Sequence, residues 1–411
     1  MKTKLRLSVC VMILLSIHLT SHAQEQTPYR FMVQVVSDYN SGGLIAIVDP
    51  SNLNTSIEYL EIPVEEAWAY PSLMRLSPNG EWLAFASALD NETGEVPRFI
   101  RLLNLASGEI LSFSEGAVNE FVWSPDSRYL AINQIQQNVP NLFVYSVEES
   151  TGFRLINSGE FWFDMIWSQD SQKIAAISSD VLSVFDVTTG ERQNSPNLTE
   201  FNLTLGPISG VSCDLGWSPD RRYISFMVGC PETLAVQIAR EIIVWDVEQN
   251  QLIQATDFTT SAFETGGSGF SRGNYYTSWY DQNQLLISTF YNIGSENNNL
   301  GTYMYSTSAE SLNQLNDTLI DEWELNPLTS QVAAHQVPTQ TPDIQSDSII
   351  SSSSVMIFTL NETQANAQSI IPLAATTRLP DGCNFHWSPD GSTLAYSIPN
   401  YACPSLDARQ F

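Results

Sequence analysis

Beyond residue 23 the chain carries two histidines, His335 and His386, and one segment, Gly269-Phe270-Ser271-Arg272-Gly273, that fits the G-x-S-x-G spacing of a serine nucleophile. Two imidazoles with no cysteine to spare do not make a His₃ or Cys₂His₂ zinc site. His386 directly precedes Trp387, and His335 lies in the strand-like run VAAHQ, so both read as hydrogen-bonded sheet histidines. The G-x-S-x-G pattern has force on a strand–turn–helix elbow. Here it sits in the Gly/Ser-rich stretch TTSAFETGGSGFSRGN with the strand-like YYTSWY after it, so Ser271 reads as a loop residue. Asp38, Asp90 and Asp281 fall in turn-like segments, and calcium is the ion that an acidic chain could use there. No D-x-[DN]-x-[DN]-G loop is present, and turn chemistry explains the three aspartates equally well. These residues therefore nominate no catalytic group and no cofactor, with structural calcium the one ion left open.

The charge balance narrows the partners. Residues 1–23 read as an export signal: a basic start at Lys2, Lys4 and Arg6, an apolar run from Leu7 to Leu19, and small residues before a cut after Ala23. Removing that leader leaves 14 basic residues against 45 acidic ones, a net charge of −31. Such a surface repels phosphate backbones, which excludes nucleic acid as a partner. It suits a secreted or periplasmic setting, with solubility maintained by charge. No later apolar run is long enough to span a bilayer as a helix. Four cysteines follow the leader, Cys213, Cys230, Cys383 and Cys403, an even number that suggests disulfides in an exported chain. Six Asn-x-Ser/Thr sequons (Asn54, Asn91, Asn197, Asn202, Asn316, Asn361) could be glycosylated only in a host that does so.

What positions all of these residues is a repeat. WSPDSRYLAINQ at Trp123, WSQDSQKIAAIS at Trp167, WSPDRRYISFMV at Trp217 and WSPDGSTLAYSI at Trp387 are strong copies. LSPNGEWLAFAS at Leu76 is intermediate, and WYDQNQLLISTF at Trp279 and LNPLTSQVAAHQ at Leu325 are weak. The seven anchors are 47, 44, 50, 62, 46 and 62 residues apart, a spacing that marks a solenoid, a propeller or an array. Each copy holds four strand-length segments: the lead-in to the anchor, the apolar run after it, a β-branched run such as RFIRLLNL or EIIVWDV, and a more polar run after a turn. Helix-period runs are absent. Four antiparallel strands repeated seven times predict an all-β, seven-bladed propeller over residues 24–411, with eight blades as the alternative. Within it, Trp123, Trp167, Trp217 and Trp387 are expected to pack between sheets. Asp126, Asp170, Asp220 and Asp390 are expected to cap their own turns.

The WSPDGxxLAF pattern resembles the repeat of TolB-type, WD40-like propellers, and also that of the propeller half of prolyl oligopeptidase-type enzymes. The resemblance spans most of the chain after the leader. It implies a bare exported propeller, because there is no room before the first strands for the small α/β domain that TolB carries, and no hydrolase half is present. Oligogalacturonate-lyase-like propellers share the repeat but use a histidine-rich metal site, which this chain does not supply.

Three runs before the first motif, FMVQVVS, LIAIVDP and SIEYLEI, lack an inner strand, and the last motif lacks outer ones. Pairing them would let the two termini share a blade and leave no open edge, although FMVQVVS and LAYSI then compete for one position. Cys213 and Cys383 each lie four residues before an anchor Trp, while Cys230 and Cys403 follow the second strand of the same hairpin. Cys213–Cys230 and Cys383–Cys403 are therefore the expected bridges. Polar insertions, one between Cys230 and Trp279 and one over 337–354, are expected to be surface loops on a face that binds a protein or a small ligand. The functional expectation is a non-enzymatic, exported interaction or ligand-binding platform; the alternative is an extracellular hydrolase or lyase acting on a polysaccharide or lactone.

Overall fold

A computed structural model describes residues 12–16, 31–35, 43–48, 57–62, 74–88, 98–113, 117–148, 153–160, 162, 164–178, 181–197, 215–228, 241–256, 274–290, 301–316, 320–326, 328–329, 331–336, 354–361, 364–372, 385–387 and 391–397. Every regular element among them is a strand, and every strand pairing is antiparallel. The chain groups into two compact units, one of residues 30–48 and 56–260, the other of residues 1–29, 49–55 and 261–411.

The strands are numbered in chain order. The larger unit holds five sheets. The first is the three-stranded β2 (Phe31–Val35), β3 (Gly43–Val48) and β4 (Ile57–Ile62). Four four-stranded meanders follow. They are β5 (Met74–Leu76), β6 (Trp82–Ala88), β7 (Arg98–Asn104) and β8 (Ile110–Phe113); β9 (Ala117–Trp123), β10 (Tyr129–Gln136), β11 (Val139–Ser146) and β12 (Phe153–Ser158); β13 (Asp164–Trp167), β14 (Lys173–Ile177), β15 (Leu182–Asp186) and β16 (Arg192–Asn194); and β17 (Gly216–Trp217), β18 (Tyr223–Val228), β19 (Glu241–Asp246) and β20 (Gln251–Gln254). The smaller unit has the meanders β21 (Asn274–Trp279), β22 (Gln284–Phe290), β23 (Gly301–Ser306), β24 (Ser311–Asn316) and β25 (Ile320–Leu325), β26 (Gln331–Gln336), β27 (Ser354–Asn361), β28 (Gln364–Pro372). Its last sheet is β29 (Phe385–Trp387) and β30 (Thr393–Ser397), with β1 (Met12–Ser16) beside β30.

These are the blades of a β-propeller, and the reason lies in the two faces of each second strand. On β10, Leu130 and Ile132 join Ala84, Ala86, Ile100 and Leu102 of the preceding sheet in one core cluster. The intervening Ala131 points the other way, into a cluster with Met165, Trp167, Ile174 and Ala176 of the following sheet. Period-two alternation with both faces apolar requires a sheet on each side. Burying each large side chain in these layers contributes about 1.5–3 kcal/mol. Sheet thus stacks on sheet, and β9 touches both β5 and β13, so the first strands of successive sheets run side by side.

Two details differ from the sequence expectation. Among the described residues, β2, β3 and β4 form a sheet of their own, so eight sheets are described where seven motifs occur. Three runs that satisfy one another's backbone groups resolve the competition between Phe31–Val35 and the LAYSI strand for one position. The N- and C-terminal strands do share a sheet, but through Leu14 opposite Ala395 and its neighbours, in the segment read as the leader. Among the described residues no helix is long and apolar enough to cross a membrane.

Candidate functional site

The repeated motif builds the same turn in each strong copy whose turn is described. Ser124 Oγ donates to Asp126 Oδ1 at 2.6 Å, that oxygen accepts from the Arg128 amide at 3.1 Å, and Ser124 Oγ accepts from the Tyr129 amide at 2.9 Å. Ser168 with Asp170 and Ser218 with Asp220 repeat the first bond at 2.6 Å, and Ser77 with Asn79 repeats it at 2.7 Å in the intermediate copy. The next residue is left-handed every time: Gly80, Ser127, Ser171, Arg221 and Gly391 have φ between 60° and 71°. Turns also grip their neighbours. The Asn79 amide donates to Ser127 Oγ at 2.9 Å, the Asp126 amide to Ser171 Oγ at 3.1 Å, and Arg221 pairs with Asp170.

The anchor tryptophans add a second link. Trp123 Nε1 donates to the Arg75 carbonyl at 3.1 Å, Trp167 Nε1 to the Val122 carbonyl at 3.1 Å, and Trp387 Nε1 to the Glu324 carbonyl at 3.2 Å. Each acceptor lies one residue before the anchor of the preceding copy. Trp217 is buried as well, with no partner for its indole N–H among the described residues. The hydroxyl and carboxylate oxygens of these turns are occupied in holding backbone.

A different set of residues forms the candidate site, on the first strands and one second strand of the larger unit. Glu120 on β9 lies in register opposite Asn133 on β10. Asn133 is wholly buried; its Nδ2 donates to the Trp162 carbonyl, while its Oδ1 has no hydrogen-bond partner among the described residues. Glu120 Oε2 is buried and has no hydrogen-bond partner among the described residues, although the residue as a whole keeps some contact with solvent. Asp164, at the start of the neighbouring β13, is buried, and Arg75, exposed on β5, supplies a positive charge that acts on Glu120. Burial, reinforced by the Asp164 carboxylate and opposed by the Arg75 guanidinium, pushes the Glu120 carboxyl up to about 8. Glu120 therefore holds a proton at neutral pH. Close by, the Trp162 indole meets Phe185 edge-on at 5.2 Å and carries the Arg192 guanidinium over its ring at 5.2 Å. Arrangements of this kind hold donors and cations, or keep a proton in reserve.

In the smaller unit Glu324 is a second perturbed acid. Burial pushes it up to about 7, against the hydrogen bond it accepts from the Trp387 amide at 3.2 Å.

Several residues singled out from the sequence lie elsewhere. Asp281 Oδ1 accepts from the amides of Asn283 and Gln284 at 2.7 and 2.8 Å, a turn cap. His335 sits in β26 opposite Val355 and Asp321, and His386 in β29 opposite Ala395. Ser271, Asp38, Asp90, Asp390, all four cysteines, and residues 257–273 and 337–353 within the two insertions lie outside the described residues. Among the described residues no group of three or more His, Cys, Asp or Glu side chains is placed to hold a metal ion. Glu120 and Asp164 were not singled out. Their signal was an acid three residues before the anchor Trp in successive copies, NEFVW, FDMIW and CDLGW.

No protein-family model matches the sequence, and no curated protein matches it. Similar solved structures include the β-propeller domain of the Trilobed protease from Pyrococcus furiosus, 14% identical with a TM-score of 0.44, covering 75% of this chain and 86% of that one. TolB from Acinetobacter baumannii is 12% identical with a TM-score of 0.35, covering 78% and 81%. Hydrazine synthase from Kuenenia stuttgartiensis is 12% identical with a TM-score of 0.40, covering 78% and 71%. Likeness of this degree assigns no activity, ligand or partner to the present chain.

Proposed function

We propose that the chain is an exported, non-enzymatic β-propeller that serves as a platform for a small ligand or a protein partner. The observation that carries this reading is a pair of buried oxygens, Glu120 Oε2 and Asn133 Oδ1, on β9 and β10 at opposed register positions, with no hydrogen-bond partner among the described residues. A buried polar atom left without a partner costs about 1–3 kcal/mol, so each such atom asks for an explanation. A ligand that hydrogen-bonds to both supplies one. Export rests on the leader-like residues 1–23 and the acidic balance of the remainder. Disulfides Cys213–Cys230 and Cys383–Cys403 belong to the same proposal, each stabilising by roughly 3 kcal/mol on a loop-entropy account.

A second reading has its own support. Glu120 keeps a proton near neutrality beside the Asp164 carboxylate, and enzymes use a carboxyl of raised proton affinity as an acid. In a hydrolase or lyase acting on a polysaccharide or lactone, Glu120 would donate the proton and Asp164 would act as the base.

One experiment separates the two. The purified protein and its Glu120→Gln variant are screened for thermal stabilisation by small polar compounds, and every hit is incubated and recovered for mass analysis. The platform reading expects a ligand that stabilises the native protein, fails with the variant, and is recovered intact. Conversion of the ligand by the native protein alone would establish the enzyme instead.

A further inference from the structure

We propose that Asn79–Gly80 is a deamidation site that the folded turn between β5 and β6 keeps unreactive, so that isoaspartate at position 79 marks chains in which this turn has opened. Asn79 is followed by glycine, and no other asparagine of the sequence is. Glycine puts no Cβ beside the reacting atoms, and Gly80 is left-handed with open space around it. Asparagine stands here in place of the aspartate of the strong copies for a visible reason. Its Nδ2 donates to Glu81 Oε2 at 2.9 Å, and both residues are exposed. Where Asp126, Asp170 and Asp220 hold the position, the residue two places on is Arg128, Gln172 or Arg222, none of them acidic.

In the reaction the Gly80 nitrogen gives its proton to base and bonds to Asn79 Cγ. The Cγ–Nδ2 bond breaks, and the nitrogen takes a proton from water and leaves as ammonia. Water then opens the five-membered imide. Opening at Cγ gives aspartate, and opening at the main-chain carbonyl gives isoaspartate, whose backbone runs on through Cβ and Cγ. Two features of the folded turn act in opposite directions. Ser77 Oγ and the Glu81 amide donate to Asn79 Oδ1 at 2.7 and 3.1 Å, which draws electrons from Cγ and favours attack. The Gly80 N–H, however, donates to the Ser77 carbonyl at 2.8 Å, and attack starts only once that proton is lost. Freeing it opens a set of bonds: the Ser77 amide to the Trp82 carbonyl at 2.8 Å, the Trp82 amide to Ser77 Oγ at 3.0 Å, and the Asn79 amide to Ser127 Oγ of the next sheet at 2.9 Å. Each such bond biases the turn toward its closed form roughly two- to tenfold, so together they outweigh the polarised carbonyl. Once formed, isoaspartate places an extra main-chain carbon between the amides of residues 79 and 80. They then no longer sit where Ser127 Oγ and the Ser77 carbonyl hold them, and the grip of this turn on the next sheet is lost.

The full chain is incubated at pH 8 in buffer and in urea, and the peptide bearing Asn79 is followed by mass analysis, with isoaspartate separated from aspartate by chromatography. Amide-hydrogen exchange of the folded protein is measured in parallel, because it reads the opening of the same Gly80 N–H. The chain in urea should lose the Asn79 amide readily and the folded chain at least tenfold more slowly, with a slowing that follows the exchange protection of Gly80. Protein refolded after conversion should melt at a lower temperature in its isoaspartate fraction. Asn79→Asp, which keeps the normal backbone and sets two exposed carboxylates together, should melt within a few degrees of the native protein. Equal rates in buffer and in urea would overturn the proposal, as would an Asn79 that stays intact in urea. An isoaspartate fraction that melts with the native protein would overturn it too, because the modification would then leave the grip on the next sheet unchanged.

Discussion

The indole N–H of Trp167 donates to the carbonyl oxygen of Val122 at 3.1 Å, tying the first strand of one sheet to the first strand of the sheet before it. The Trp167 ring also lies against Tyr129, with centroids 6.1 Å apart and planes 19° from parallel. The residue is both mortar and bolt. Trp167→Phe keeps an aromatic body but leaves the Val122 carbonyl without its donor, and should cost about 1–3 kcal/mol. Trp167→Ala adds a cavity and should cost about 3–5 kcal/mol. Urea unfolding of the two variants checks the order, and a Trp167→Phe variant as stable as the native protein would show that the hydrogen bond contributes nothing.

The turn carboxylates hold backbone, and the chain contains its own control. Asn79 makes with Ser77 and the Glu81 amide the bonds that Asp126 makes with Ser124 and the Arg128 amide. Asp126→Asn should therefore cost less than Asp126→Ala, which should lose about 0.5–2 kcal/mol, as other side-chain caps do. Thermal melts of the two variants decide it.

Gly391 has φ of +65°, and a Cβ there would lie 2.3 Å from Asn326 Oδ1. Asn326 cannot step aside cheaply: its Nδ2 donates to the Gly391 carbonyl at 2.8 Å, and its Oδ1 accepts from the amides of Leu328 and Thr329 at 3.0 and 3.1 Å. Gly80 has φ of +71° with open space around it. Gly80→Ala should cost only the left-handed penalty of about 1–2 kcal/mol. Gly391→Ala should cost distinctly more, seen as a larger fall in melting temperature.

Glu120 makes stability depend on pH with a definite sign. Its folded value, about 8, lies above its ordinary value of 4.5, so the native state holds a proton that the unfolded chain has lost. The contribution is fully present below the unfolded value and drains away as pH rises toward 8. Glu324, pushed up to about 7, adds a slope of the same sign over a narrower window. Urea midpoints from pH 5 to pH 9 should fall more steeply for the native protein than for Glu120→Gln, and parallel curves would remove Glu120 from the account.

The repeated hairpins were legible from residue types alone because their stabilising contacts are local. Arg98–Asn104, Glu241–Asp246 and Gly301–Ser306 lie where the β-branched and aromatic runs placed strands. The Ser-to-Asp bond spans two residues and the Ser-to-amide bond five, so their logic is written in one short segment. The fate of residues 31–62 was not legible, because several partners could satisfy the same strand edges and only the assembled sheets chose among them.

The candidate site needed the tertiary structure for a physical reason. Arg75, Glu120 and Asp164 belong to three separate sheets, some 45 residues apart along the chain, and nothing local marks them as neighbours. An acid in NEFVW reads as an ordinary polar strand residue until burial removes its water, the facing Asn133 leaves an acceptor unpartnered, and a second carboxylate raises its proton affinity. The sequence by itself determined the strands and the turns, because short-range sterics and hydrogen bonds suffice for those. Which acids lost their water was decided only when sheet packed against sheet, since desolvation and charge coupling depend on distance in space and not along the chain.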